Sequence, residues 1–169
     1  MKLRRLTRLA LSGLLLAGLA APRLAAAAQP PSDAAWQAAK EAIWARELAI
    51  YNGRAKGDLA IYLASTAHGY KAWPPYAPLP KGNEGLKETG RRMAGKTLEA
   101  LEMTFLDLAL HGDFAVIYYH THRTRLADGT PVDERFEVTH SWVRERGEWK
   151  VLGGMARARP ERPDPSETP

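Results

Sequence analysis

Residues 114–142 read FAVIYYHTHRTRLADGTPVDERFEVTHSW, two alternating runs on either side of Asp128-Gly129. An Asp-Gly pair between alternating runs predicts a hairpin with a two-residue turn, because aspartate and glycine tolerate the positive φ angles such turns need. That turn pairs Ala127 with Thr130. Counting back sets Tyr119 opposite Val138, Ile117 opposite His140 and Ala115 opposite Trp142. Opposed residues share a face, so one side of the ribbon carries Ala115, Ile117, Tyr119, Phe136, Val138, His140 and Trp142, the composition of a core. The other side carries Val116, Tyr118, His120, His122, Arg135, Glu137 and Thr139. A three-residue turn would exchange the two sides.

The same counting extends to the next strand. With Arg146-Gly147 as a turn, EWKVLGGMARA places Val151 opposite Trp142 and Gly153 opposite His140, and adds Trp149, Val151 and Met155 to the apolar face alongside Phe136. Upstream, TLEALEMTFLDLAL from Thr97 joins the ribbon through His111-Gly112-Asp113, with Met103 and Phe105 expected on the mixed outer face. Strands joined this tightly are antiparallel neighbours. The chain before Thr97 has helical periods. Ser32 is placed to cap a helix in which Trp36, Ala39, Ile43 and Ile50 lie beside Trp44, Leu48, Tyr51 and Ala55 in one apolar arc, with Glu47 inside it. DLAIYLA predicts a second helix capped by Asp58, and NEGLKETGRRMA a third. Helices followed by a meander of strands predict an α+β domain with the helices packed on one face of the sheet.

Both ends stand apart from this domain. Residues 1–28 combine a basic start, an apolar run and a small-residue end, which predicts a secretory signal peptide cut after Ala28 and a periplasmic or secreted protein without stable membrane insertion. Arg4-Arg5 leaves open whether export uses the general or the twin-arginine route. The leader would remove five of the 24 basic residues, leaving 19 against 19 acidic ones, so the formal charge of +5 belongs to the leader. A neutral remainder gives no ground for a nucleic-acid partner. Residues 159–169, RPERPDPSETP, predict a disordered proline-rich tail, leaving 32–158 as the folded domain. There is no cysteine, which excludes disulfides, thiolate nucleophiles and cysteine metal sites.

Few residues carry chemistry. His140, on the apolar face beside a glycine, reads either as a pocket histidine able to move protons or, by default, as a core histidine bonded to a tyrosine or a carbonyl. Glu47 reads as its complement only if buried; the default is a carboxylate that snorkels or answers an arginine. Tyr119 faces the same interior and could donate to a ligand carbonyl. His120 and His122 have the spacing of two metal ligands but face outward without a third, so no metal is expected. Arg123 and Glu134 should pair near the hairpin end. HGYKAWPPYAPLP, residues 68–80, holds four prolines among large rings and predicts the lip of a pocket, with His68, Tyr70 and Trp73 at its mouth over Tyr119, His140 and Trp142.

Taken together, the first helix running into GDLAIYLA, the HGYKAWPPYAPLP segment, HGDFAVIYY and THSWVRERGEWKVL resemble the nuclear transport factor two-like superfamily, in particular its SnoaL-like domains, over residues 33–157. The resemblance implies a cone, a curved antiparallel sheet wrapped around N-terminal helices, with a pocket between them and a homodimer through the sheet's outer side. It also implies a range of chemistries, from ketosteroid isomerases to dehydratases and polyketide cyclases, so the fold alone names no reaction. Many relatives bear a histidine or serine on the last strand where this chain has Gly153, Gly154 and Met155, and no catalytic role carries over there. The expected function is binding of a small apolar or aromatic molecule without a cofactor. The alternatives are an isomerase, dehydratase or cyclase using His140 with Glu47 and Tyr119, and an interaction module docking an envelope partner.

Overall fold

The computed structural model describes residues 31–159; the expected leader, and the proline-rich tail beyond Arg159, lie outside them. The chain order is α1 (Asp33–Ala55), α2 (Ala60–Ser65), β1 (Thr66–Trp73), α3 (Asn83–Met93), β2 (Ala100–His111), β3 (Phe114–Arg125), β4 (Pro131–Glu145) and β5 (Glu148–Ala158). One five-stranded sheet runs β1-β5-β4-β3-β2. The result is an α+β cone with α1 laid along the inner face of the sheet. No helix among the described residues is long and apolar enough to cross a membrane.

Helix α1 begins where Ser32 Oγ accepts the Ala35 N–H at 3.2 Å, which satisfies one of the unpaired first-turn donors. It ends before Gly57, whose φ of 72° only glycine adopts without strain and where a Cβ would meet the Met93 carbonyl. Between these stops, Ala39, Ile43, Glu47 and Ile50 recur on one stripe and are buried. They pack on Ile117, Tyr119, Val138, Trp142 and Val151 from the sheet. Trp44 meets both Phe105 and Tyr119 edge-on, with centroids 5.7 Å apart in each case.

The central hairpin has the expected interior register, with Tyr119 opposite Val138, Ile117 opposite His140 and Ala115 opposite Trp142. Its turn differs. Leu126 to Thr130 form a longer connection, closed by Leu126 N–H to Thr130 O and Gly129 N–H to Leu126 O, both 2.9 Å. A register shift between Arg123 and Arg125 absorbs the extra length, so the faces are unchanged.

Two other shifts do change faces. In β5, Trp142 pairs with Val151 but Ser141 with Gly153, so Leu152 is an extra residue and Gly154, not Gly153, stands opposite His140. Met155 consequently turns outward and is exposed, while Ala156 takes the inner position opposite Val138. In β2, Leu106 is the extra residue, so Met103 and Phe105 face inward and pack on the core instead of joining the outer face. An extra residue on one strand increases its bend and twist, so these bulges curl the sheet over α1.

The remaining departure is β1. Thr66–Trp73, which takes in the start of HGYKAWPPYAPLP, forms an edge strand parallel to β5, making the sheet mixed rather than purely antiparallel. Gly153 permits this pairing, since a Cβ there would overlap the Lys71 carbonyl oxygen. The prolines follow the strand and do not interrupt it. Ala72 and Lys81 then exchange backbone hydrogen bonds of 3.0 and 2.7 Å, which pinch residues 73–80 into a closed loop.

Candidate functional site

Glu47 occupies the middle of the α1 stripe and is fully enclosed, in contrast to the solvated or snorkelling residue expected of a lone carboxylate. Three donors meet its two oxygens. Oε1 accepts from His140 Nδ1 at 2.7 Å and from Trp142 Nε1 at 3.0 Å, and Oε2 from the Tyr119 hydroxyl at 3.1 Å. A buried carboxylate without water needs such a set, because each missing donor leaves its desolvation uncompensated. Burial, reinforced by the Glu47 charge, holds the Tyr119 hydroxyl well above the ordinary tyrosine range, so Tyr119 stays a donor.

The bond to Glu47 fixes the role of His140. An ionised carboxylate can only accept, so this bond takes an imidazole proton on Nδ1, and in that tautomer of the neutral ring the lone pair is on Nε2. Nε2 lies 3.4 Å from the Tyr62 hydroxyl, which is 3.0 Å from that of Tyr70. Burial first, then the neighbouring Tyr70 hydroxyl, pushes Tyr62 well above its ordinary value, and burial raises Tyr70 to about 12. Both are therefore neutral O–H groups near pH 7. Gly154 makes room for the ring, since a Cβ there would overlap His140 Cδ2 and the Thr139 carbonyl.

His140, Tyr62 and Tyr70 line a cavity of about 170 Å³ enclosed by α1, α2, β1, α3 and the inner face of β4 and β5. Leu59, Leu86, Val138 and Ala156 supply apolar wall, and Trp73, Pro74 and Pro75 form its lip. The lip is braced, with Trp73 Nε1–H donating to Ala77 O at 2.6 Å and Ala77 N–H to Pro74 O at 3.1 Å. Of the six residues expected around a pocket, Tyr70, Trp73 and His140 line this one. Tyr119 and Trp142 lie beneath it and hold Glu47. His68 is exposed on β1 and outside the lining, because the irregularity between Thr66 and Lys71, where Gly69 has a φ of 79°, breaks the alternation that would otherwise put His68 on the face of Tyr70.

Sequence reasoning missed Tyr62, whose place on α2 gave no cue, and Tyr51, which lies one turn after Glu47 with its hydroxyl 3.4 Å from that of Tyr119. The four-residue spacing from Glu47 was the available signal. It also missed a second buried carboxylate, Glu99. Arg54 Nε contacts both Glu99 oxygens, at 3.0 and 3.3 Å, while Arg123 Nε lies 2.9 Å from Oε1 in an ion pair whose angle does not make a hydrogen bond. Arg123 Nη1 donates to Glu134 Oε2 at 2.7 Å.

On the outer face, His122 pairs with Asp133 at 2.7 Å, and His120 lies opposite Glu137. Among the described residues no three metal-ligating side chains converge. Leu106, Tyr118 and Met155 form an exposed apolar group on this face.

Several solved structures share this architecture. A protein of the NTF2-like family from Streptomyces avermitilis, provisionally named a dehydratase, superposes with a TM-score of 0.63 at 16% identity, covering 74% of this chain and 99% of that one. A ketosteroid isomerase-like protein from Erwinia carotovora atroseptica gives a TM-score of 0.59 at 14% identity, covering 72% and 96%. The CaMKII hub of S. rosetta gives 0.57 at 20% identity, covering 70% and 95%. No family model and no curated protein matches the chain. At these identities the likeness establishes the fold and leaves the chemistry to the residues.

Proposed function

We propose that this chain, which has the nuclear transport factor two-like fold, is a proton-transfer enzyme of the isomerase, dehydratase or cyclase class, acting on a small apolar or aromatic carbonyl compound. The observation that carries the reading is the 2.7 Å bond from His140 Nδ1 to the enclosed Glu47, with His140 at the wall of the cavity. Nε2 takes a proton from the carbon beside the substrate carbonyl. Glu47 holds the ring in the tautomer that can do this and stabilises the imidazolium that forms, and the Tyr62 and Tyr70 hydroxyls donate to the developing oxyanion. The same Nε2–H then returns the proton at another carbon or to a leaving hydroxyl. A positioned base of this kind contributes on the order of 10²–10⁴-fold in rate.

The 3.4 Å contact between Nε2 and Tyr62 favours one other reading, binding without turnover, because the base already has a partner. Deuterium exchange separates the two. Small ketones and aromatic carbonyl compounds incubated with the protein in D2O should gain a carbon-bound deuterium, read by mass spectrometry. The His140→Gln variant should give none above buffer. Binding with no wild-type exchange would leave a carrier.

The proposal includes export, supported by the composition of residues 1–28, with cleavage after Ala28 and a periplasmic or secreted location. It also includes a homodimer through the outer face, supported by the exposed Leu106, Tyr118 and Met155.

A further inference from the structure

The charged residues around the cavity are all of one sign. Arg54 from α1, Lys81 before α3 and Arg92 near its end line the cavity, and among the described residues no aspartate or glutamate does. These cations are held in different ways. Arg54 is fixed by Glu99, and among the described residues its hydrogen bonds are made by Nε alone, so the two terminal nitrogens of the guanidinium are uncommitted. The charge of Glu99 is answered a second time by Arg123, so Arg54 is not needed in full to neutralise it. Lys81 lies along α3 over Gly85, where a Cβ would come within 2.8 Å of the lysine Cβ. Arg92 makes only long contacts, 3.4 Å to Glu88 and 3.3 Å to Thr89, and is largely exposed.

Three cations over an apolar wall make poor packing and a good anion subsite, since a partly desolvated guanidinium forms strong, forked bonds to a carboxylate. The scale also fits. Arg54 follows Glu47 by seven residues on one helix, about 10.5 Å along its axis. Arg54 is thus set along α1 from the helix turn that holds His140 through Glu47, by roughly the length of a phenyl ring bearing a short acid side chain. The cavity of about 170 Å³ holds such a ring, since an apolar cavity of about 150 Å³ binds benzene.

Resting on the cavity being a ligand site, as read above, we infer that its ligand is an amphipathic organic acid, with the ring against Leu59, Leu86 and Val138 and the carboxylate between Arg54, Lys81 and Arg92. The test is isothermal titration of the full chain with 3-phenylpropionate and its uncharged isostere 3-phenylpropanamide. The acid should bind at least about tenfold more tightly than the amide, the scale of a charge-assisted pair. The exposed double variant Lys81→Gln/Arg92→Gln, which leaves the buried ion pairs intact, should lose about that factor for the acid and little for the amide. Arg54→Lys should weaken the acid further by losing the fork. Equal affinity for acid and amide would overturn the inference while leaving the cavity as a binding site. Binding of neither would overturn both. Acid binding retained in His140→Gln, with no deuterium exchange by the wild type, would uphold the anion subsite and refute proton transfer.

Discussion

Replacing Glu47 by alanine removes the acceptor for three enclosed donors at once, His140 Nδ1–H, Trp142 Nε1–H and the Tyr119 hydroxyl. A buried donor left without a partner costs about 1–3 kcal/mol. Three together cost about 3–9 kcal/mol if they add, less where the hydroxyl turns to the Tyr51 oxygen 3.4 Å away. Domains of this size have about 5–15 kcal/mol in total, so Glu47→Ala should be severely destabilised or unfolded. Glu47→Gln separates charge from geometry. Its carbonyl can face His140 and Trp142, while its amide meets Tyr119 as a donor and finds the hydroxyl able to accept. Only the charge assistance is lost, and the cost should fall to about 1–3 kcal/mol. Urea unfolding followed by tryptophan fluorescence measures both variants, with an unchanged m-value as the check on two-state behaviour. If Glu47→Ala lies within about 0.5 kcal/mol of the wild type, the carboxylate does not organise this centre, and its role in orienting His140 goes with it.

Three further outcomes follow from the same geometry. Gly154→Ala places a methyl where His140 Cδ2 and the Thr139 carbonyl already are, and should cost about 1–3 kcal/mol in urea while displacing the imidazole; an unchanged His140 resonance in the variant would count against the close fit. In a spectrophotometric alkaline titration Tyr51, Tyr62, Tyr70 and Tyr119 should ionise above the ordinary value of 10.0, Tyr70 at about 12. Because folding raises these values, their contribution to stability is complete below pH 10 and is lost as pH rises from there through about 12, so a Tm that stays level over that interval would contradict their burial. Tyr118→Glu with Met155→Glu should convert a dimer to a monomer by native mass spectrometry, and an unchanged mass would remove the outer face from consideration.

The hairpin at residues 114–142 was legible because its register depends on local alternation, and the longer turn was compensated by a shift within the same two strands. The β5 register was not, because the extra Leu152 accommodates β1, a strand about 80 residues earlier whose Lys71 carbonyl occupies the place of a Gly153 side chain. The adjacent glycines were the visible trace of that approach. Glu47 was legible in position but not in burial. Helical period put it in the apolar arc, whereas its acceptance there depends on Tyr119, His140 and Trp142, which only the folded sheet brings to it. Tyr62 left no trace, since a tyrosine on a short helix has the pattern of ordinary packing.

The pairing of β1 with β5 also bears on the order of assembly. The meander from β2 to β5 joins neighbours through short turns and can zip locally, but Thr66 meets Val151 only after most of the chain has been placed. Contacts so distant in sequence incur their loop-closure entropy late in folding. An edge strand with few supporting helix contacts is also where a native protein opens most cheaply. The cavity is bounded by this edge together with α2 and α3, so its wall should be the last part of the molecule to form and the first to exchange its amides. On the proposed reading, ligand entry would need no separate gate: partial release of β1 from its partners Gly153 and Gly154 would loosen the lip and the ground beside His140 in one motion.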